Sequence, residues 1–186
     1  MVHAIDDVMA LFDGVFADTF NTRLVKGGDE PIYLPAGGDV GYHRIVFAHG
    51  FFASALHEVS HWCIAGTARR QLEDYGYWYE PDGRDADQQA VFEQVEVAPQ
   101  ALERLLCEAC AKPFEVSVDN LDGVAVDRQA FAAKVAARAE RYLDQGLPPR
   151  AEAFAATLRA FYRRGETRDV AITAGRARLA AVLTSA

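Results

Sequence analysis

A polar pentapeptide stands in the middle of an otherwise apolar helical segment. Residues 51–65 place large apolar side chains at helical spacing, and the sequence HEVSH occupies residues 57–61 at their centre. Two histidines four residues apart stand one turn apart on the same helix face, where both imidazoles can bind one metal ion. Burying such polar side chains costs roughly 1–3 kcal/mol each unless a partner satisfies them. The segment therefore predicts a central helix, capped by Gly66, that binds a metal ion through His57 and His61.

The third ligand of such a site has to come from another part of the chain. In the longer zinc-protease pattern HExxHxxGxxH a third histidine follows on the same helix, but Thr67 stands at that position here. A carboxylate from the next helical segment is the remaining source. That segment begins at Ala86, is predicted to break near Pro99, and offers Glu96 and Glu93. Glu96, which lies between two valines, is the preferred ligand, and Glu93 is the alternative.

Two histidines and one carboxylate leave the identity of the metal open. Such a set leaves three open positions around an octahedral Fe(II), as in non-haem iron oxygenases, or one position for water on a tetrahedral zinc ion. Glu58 points away from the ligand face because it is adjacent to His57. It is predicted to act in catalysis as a general base, or to support a ligand or bind substrate.

The pattern of the whole chain predicts the α+β class. Helical spacing covers residues 5–20, and alternating or β-branched residues at 31–34 and 44–48 indicate strands, with a loop between residues 23 and 31. From about residue 127 the chain is alanine-rich and helical, with a break at residues 146–149. We expect a single domain over residues 1–186, with a catalytic core at about 5–145 and a helical C-terminal extension at about 147–186.

Composition excludes several classes of protein. The chain has 186 residues, 51% of them hydrophobic and 25% charged, which is typical of a globular protein. It contains no apolar run long enough to cross a membrane and no secretory signal at its start, so we expect a cytoplasmic protein with no membrane partner. Its three cysteines are expected to be reduced thiols.

Charge is spread unevenly along the chain. Residues 1–100 carry 16 acidic and 6 basic side chains, whereas residues 101–186 carry 11 acidic and 13 basic ones. A site in the first part would lie in a negative field, which attracts cations and repels nucleic-acid phosphates. We therefore expect no direct nucleic-acid partner.

Several stretches resemble the bacterial elongation factor P hydroxylase family. The resemblance runs from about residue 10 to about residue 145. It is carried by residues 20–27, 30–35, 44–50, 57–66, 77–79, 81–85, 95–97 and 99–101. It implies an oxidoreductase, a monooxygenase that hydroxylates the lysine of elongation factor P already carrying a β-lysyl group. It also implies a fold similar to the rRNA-maturation endoribonucleases and zincins.

The resemblance also implies a divalent metal, of which Fe(II) is the expected ion, with dioxygen as co-substrate. His57 and His61 match the family's metal ligands, and Glu96 is assigned as the third. For such a substrate we expect Tyr77 and Trp78 to wall the cavity and contact the amines by cation–π interaction.

Two further groups are expected to serve the substrate. Asp82 would supply an ionic contact, and His49, at a junction between strand and helix, would line the site. The alternative function is a zinc-dependent hydrolase, a peptidase or an endoribonuclease, in which Glu58 activates water.

Overall fold

The computed structural model describes residues 2–75, 85–118 and 127–184. Within these ranges the chain forms six α-helices and one three-stranded sheet. The mixed α+β class predicted from the sequence is confirmed, in a form rich in helix. In chain order the elements are α1 Ile5–Phe20, β1 Thr22–Lys26, β2 Ile32–Leu34, β3 His43–Phe47, α2 Phe52–Ile64, α3 Ala86–Ala109, α4 Arg128–Gln145, α5 Pro149–Leu158 and α6 Arg168–Thr184.

The sheet has the order β1-β3-β2, with β3 parallel to β1 and antiparallel to β2. Strands β2 and β3 match the sequence prediction, whereas β1 was missed because Gly27 and Gly28 made the stretch before them look like a loop. Asp13 of α1 accepts a hydrogen bond from the backbone N–H of Leu24 at 2.9 Å, so it satisfies a donor that the sheet leaves free.

Helix α1 packs its apolar face against α2 and α5. Phe12 and Phe16 are fully buried, and their ring centroids lie 5.2 and 5.0 Å from that of Trp62 on α2. Phe154 of α5 closes the cluster, 5.6 Å from Phe12. Because this packing surrounds one side of α2, it leaves the opposite side of that helix to face α3.

Helix α3 runs without interruption for 24 residues through Pro99, so the predicted break at that residue is wrong. Proline removes one backbone donor and costs about 3 kcal/mol in a helix interior. Buried side chains keep the helix packed on both sides of the proline: Phe92 lies before it, and Ala101, Leu102 and Leu106 follow it. Tertiary packing therefore outweighs the local preference.

The end of α2 also differs from the sequence prediction. The residue that caps it is Ala65, with φ −58°, and Gly66 takes no left-handed conformation. The final carbonyl groups of α2 are instead bound by side chains from later in the chain.

The C-terminal portion is helical, as predicted, but contains one more break than the sequence suggested. Helix α5 ends in a short π-helical stretch, Arg159–Arg163, and Gly165, with φ 68°, precedes α6. Where α6 crosses α5 and α1, a Cβ atom on Gly175 would overlap the hydroxyl group of Thr157. None of the helices in the described ranges is long and apolar enough to span a membrane. The division into core and extension, and the likeness to endoribonuclease and zincin folds, stay predictions.

Candidate metal centre

His57 and His61 lie on the face of α2 that is turned towards α3. Their neighbours Leu56, Val59 and Ser60 are buried, which fixes the rotation of α2 about its axis. The two imidazoles are partly buried, and their Nε2 atoms lie 3.1 Å apart. Both therefore direct the same ring nitrogen to one point.

Glu96 of α3 completes the group from the opposite side. Its Oε1 atom lies 3.3 Å from Nε2 of His61, its Oε2 atom lies 3.5 Å from Nε2 of His57, and the residue is only 3% exposed. The ligand atoms of the three residues lie within 4.8 Å of one another. Glu93, the alternative third ligand, pairs instead with Lys134 of α4 at 2.6 Å.

Glu103, which the sequence analysis did not single out, contacts the other nitrogen of His57. Its Oε2 atom lies 2.9 Å from Nδ1. A carboxylate at that position holds the proton on Nδ1 and leaves the lone pair of Nε2 directed at Glu96 and His61. Its spacing of seven residues from Glu96, on the same helix face, was the signal that could have identified it.

Gln100, one turn after Glu96, orients the carboxylate of that residue. Its Nε2 atom lies 3.4 Å from Glu96 Oε2 and donates to the carbonyl of Ser117 at 2.7 Å, while its Oε1 atom accepts from the N–H of Ser117 at 3.0 Å. The backbone of Ser117 presents one donor and one acceptor, so it fixes which end of the amide faces Glu96.

The charges of the cluster act strongly on one another. Burial alone would lower the pKa of His57, but the hydrogen bond to Glu103 and the charges of Glu96, Glu103 and Glu58 raise that pKa to about 10. Burial would raise the pKa of Glu96, but His61 and His57 lower it to about 2. The surroundings of the His57 imidazole therefore favour a positive charge, which either a proton or a metal ion supplies.

The donor set fits a divalent transition metal. Two imidazole nitrogens and one carboxylate oxygen form a set that suits Fe(II) or zinc, and Glu103 gives it the outer carboxylate that metal-bound histidines commonly have. All three donors sit on helices anchored in the core. The arrangement can therefore bind one ion without a large movement of the backbone.

Glu58 lies beside this group on α2. Burial raises the pKa of its carboxyl group, although the nearby His57 and His61 oppose the rise. It makes no hydrogen bond or ion pair with the part of the chain that the structure describes. Its carboxylate is thus available to a bound molecule.

The structure does not bring His49 into the three-residue group. His49 lies in a short turn between β3 and α2, has φ 53°, and its Nδ1 atom is 3.7 Å from Asp29. The other three residues predicted to bind substrate, Tyr77, Trp78 and Asp82, lie outside the described residues.

The sequence of the chain also matches known proteins. A family model described as elongation factor P hydroxylase matches residues 11–171. The chain belongs to this family. A relative named elongation factor P lysine hydroxylase, from Haemophilus influenzae, is 52% identical over 162 residues, which cover 87% of this chain and 91% of the relative. The family resemblance noted in the sequence is confirmed, and the match extends through α5 to the start of α6.

Proposed function

We propose that this protein is a metal-dependent oxidoreductase that hydroxylates elongation factor P on the lysine already carrying a β-lysyl group. The observation that carries this proposal is the grouping of His57, His61 and Glu96 in a chain of the elongation factor P hydroxylase family. The 52% identical relative is named elongation factor P lysine hydroxylase, which supports the same substrate protein and the same reaction. A translation factor as substrate makes the cytoplasm the proposed site of action.

His57, His61 and Glu96 are the proposed ligands of Fe(II), and dioxygen is the proposed co-substrate. Bound Fe(II) would supply the redox chemistry that dioxygen needs in order to react with a C–H bond. The protein's own contribution is geometric: Glu103 holds the proton of His57 on Nδ1, and Gln100 holds the carboxylate of Glu96 towards the histidines. With three ligands from the protein, an octahedral Fe(II) ion would keep further coordination positions for the substrates.

The modified lysine side chain carries two amines, so its recognition requires anions and aromatic faces. Glu58 is the proposed carboxylate at the catalytic site that binds an amine of the modified lysine. It is half-buried beside the metal ligands, and it makes no hydrogen bond with the described residues. Tyr77, Trp78, Asp82 and His49 are the further proposed contacts with substrate. A cationic substrate also suits the excess of acidic side chains in residues 1–100.

The test is reconstitution of the metal-free protein under anaerobic conditions with Fe(II) or with Zn(II). Each sample then receives dioxygen, a reductant and β-lysylated elongation factor P, with and without an added oxo acid, and the product is weighed by mass spectrometry. We expect a gain of one oxygen atom with Fe(II) and none with Zn(II). His57→Ala should abolish the gain, and the matched variant Glu93→Gln should retain it. Absence of any gain, together with cleavage of peptide or RNA under Zn(II), would refute the hydroxylase and favour the hydrolase.

A further inference from the structure

Arg150, in the first turn of α5, binds the end of the helix that carries both histidines. Its Nη2 group lies 2.8, 3.1 and 2.6 Å from the carbonyl oxygens of Trp62, Cys63 and Ala65. These carbonyls lie at the C-terminus of α2, where a helix has no backbone donors left for its last turn. A positive charge at that end also interacts favourably with the helix dipole.

The guanidinium group is held in place from several sides. It lies 4.7 Å from the ring centroid of Trp62 and 5.5 Å from that of Phe20. Arg70 shares one of its acceptors, because Nη1 of Arg70 donates to the carbonyl of Ala65 at 2.7 Å. Pro149 stands at the first position of α5 and fixes the backbone from which Arg150 extends.

This way of ending a helix is a costly one. Burial lowers the pKa of Arg150 to about 10, and its Nε atom is buried with no hydrogen-bond partner among the described residues. Gly66 follows the capping residue Ala65 and offers the ordinary glycine ending of a helix, but its backbone does not adopt the left-handed conformation that this ending uses. The partly buried cation is therefore not required merely to end the helix.

The turn that Arg150 binds is also the turn that carries His61. The carbonyl of His61 accepts from the N–H of Ala65 at 3.0 Å, and the next two carbonyls are those held by Arg150. Nε2 of His61 faces Glu96 at 3.3 Å across the gap between α2 and α3. Metal ligands have to be held within about 0.5 Å of their productive geometry, so fraying of this turn would disturb the site.

We propose that Arg150 is a positioning residue that fixes the last turn of α2 and thereby holds His61 in register with Glu96. The proposal rests on the metal site of the proposed function. It assigns to a residue beyond the predicted catalytic core, in the helical C-terminal portion, a part in building that site.

The test compares Arg150→Met with Arg178→Met in the full-length protein. Methionine keeps much of the length and apolar contact of the arginine stem but removes every donor. Arg178 of α6 pairs with Glu152 of α5 on the surface, 3.1 Å away, and serves as the matched control. Zn(II) affinity is measured by competition with a chelator, and backbone hydrogen exchange is measured in the metal-free protein.

We expect Arg150→Met to weaken Zn(II) binding about 10-fold, the lower end of what is seen when a group that supports a metal ligand is removed. Hydrogen exchange should become faster at residues 61–65 and remain unchanged in α1 and α6. Arg178→Met should change neither measurement. Unchanged Zn(II) affinity in Arg150→Met, or a uniform rise in exchange across the chain, would overturn the positioning role.

If Arg150→Met does not fold, Arg150→Lys decides the question. Lysine keeps the positive charge but loses the planar, forked set of donors. We therefore expect a smaller loss of Zn(II) affinity, with faster hydrogen exchange confined to residues 61–65. An unchanged Zn(II) affinity and unchanged exchange would refute the proposal. If the unchanged protein binds Zn(II) but does not oxidise elongation factor P with Fe(II), the proposed function is refuted. The role of Arg150 is then still decided by the Zn(II) affinity and the hydrogen exchange of its variants. A protein that binds neither metal refutes the metal site and the positioning role together.

Discussion

Glu103 and His57 form a carboxylate–imidazole pair in which Oε2 lies 2.9 Å from Nδ1. Because this contact sets the tautomer of His57, its loss should reduce metal affinity without removing a ligand. We expect Glu103→Gln to weaken Zn(II) or Fe(II) binding about 10- to 100-fold. Competition with a chelator measures the change, and Glu93→Gln on the same helix is the control. Equal metal affinities for Glu103→Gln and Glu93→Gln would show that Glu103 does not support metal binding.

Glu96 and Glu93 are three residues apart on α3 but have different surroundings. Glu96 faces two histidines, whereas Glu93 pairs with Lys134. We expect Glu96→Gln to lose more metal affinity than the roughly 100-fold typical of an outer supporting group, because it removes a ligand. Glu93→Gln should bind normally. If instead Glu93→Gln loses the metal and Glu96→Gln keeps it, the assignment of the third ligand is wrong.

Gln100 is almost fully buried and connects Glu96 to the backbone of Ser117. Gln100→Met keeps the length of the side chain but removes the hydrogen bonds from Gln100 to the carbonyl and the N–H of Ser117. We expect a loss of about 1–3 kcal/mol in the free energy of unfolding, measured in urea. The control is Gln94→Met, because Gln94 is an exposed residue of the same helix. A loss of equal size in the two variants would show that the amide contacts contribute nothing specific.

The pKa values of His57 and Glu96 predict how the stability of the metal-free protein depends on pH. The pKa of His57 is raised to about 10, so its stabilising effect is complete below the unfolded value of 6.5 and is lost as pH rises through about 10. The pKa of Glu96 is lowered to about 2, so its effect is present above 4.5 and is lost as pH falls through about 2.

Urea unfolding of the metal-free protein between pH 6.5 and 10 isolates the histidine contribution by comparison with His57→Gln. The free energy of unfolding should decline more steeply with rising pH in the unchanged protein than in the variant. Added metal should reverse this trend, because metal and proton compete for the same nitrogen and binding strengthens as pH rises. Identical slopes for protein and variant would contradict the raised pKa.

The acidic first part of the chain predicts a dependence on salt. If the negative field collects a doubly aminated side chain, the apparent second-order rate constant with modified elongation factor P should fall as ionic strength rises. The turnover number at saturating substrate should change less, because salt screens the attraction that brings the two proteins together and not the reaction of the bound substrate. A rate constant that does not change with ionic strength would indicate that the acidic side chains serve solubility instead.

Local pattern predicted most of the fold. Helices α1 and α2 have strong periodicity, and their bounds lie within a residue or two of the expectation. Strand β1 was missed because Gly27 and Gly28 made it look like a loop, and because its pairing with β3 is parallel, so no hairpin turn next to it marks it as a strand. Pro99 misled for the opposite reason: its local effect is strong, and the packing that outweighs it comes from distant residues.

Helical spacing predicted those residues of the site that share a helix face. The grouping of His57, His61 and Glu96 is present in the structure as the sequence suggested, and their role as ligands stays a prediction. Glu103 and Gln100 share a helix face with Glu96, so the same spacing rule extends to them. Arg150 lies beyond any such rule, because its contact with α2 joins residues more than eighty positions apart in the chain.

The site draws its donors from two helices that are separated in sequence by a long connection. The chain leaves α2 at Ile64, three residues after His61, and enters α3 at Ala86, ten residues before Glu96. An ion held by both helices would act as a removable cross-link that closes this connection into a ring. Unlike a disulfide, the ion would close this ring only in the folded chain, because its three ligands separate on unfolding. Its binding free energy would therefore stabilise the folded state, so chelation should lower the melting temperature as well as the activity.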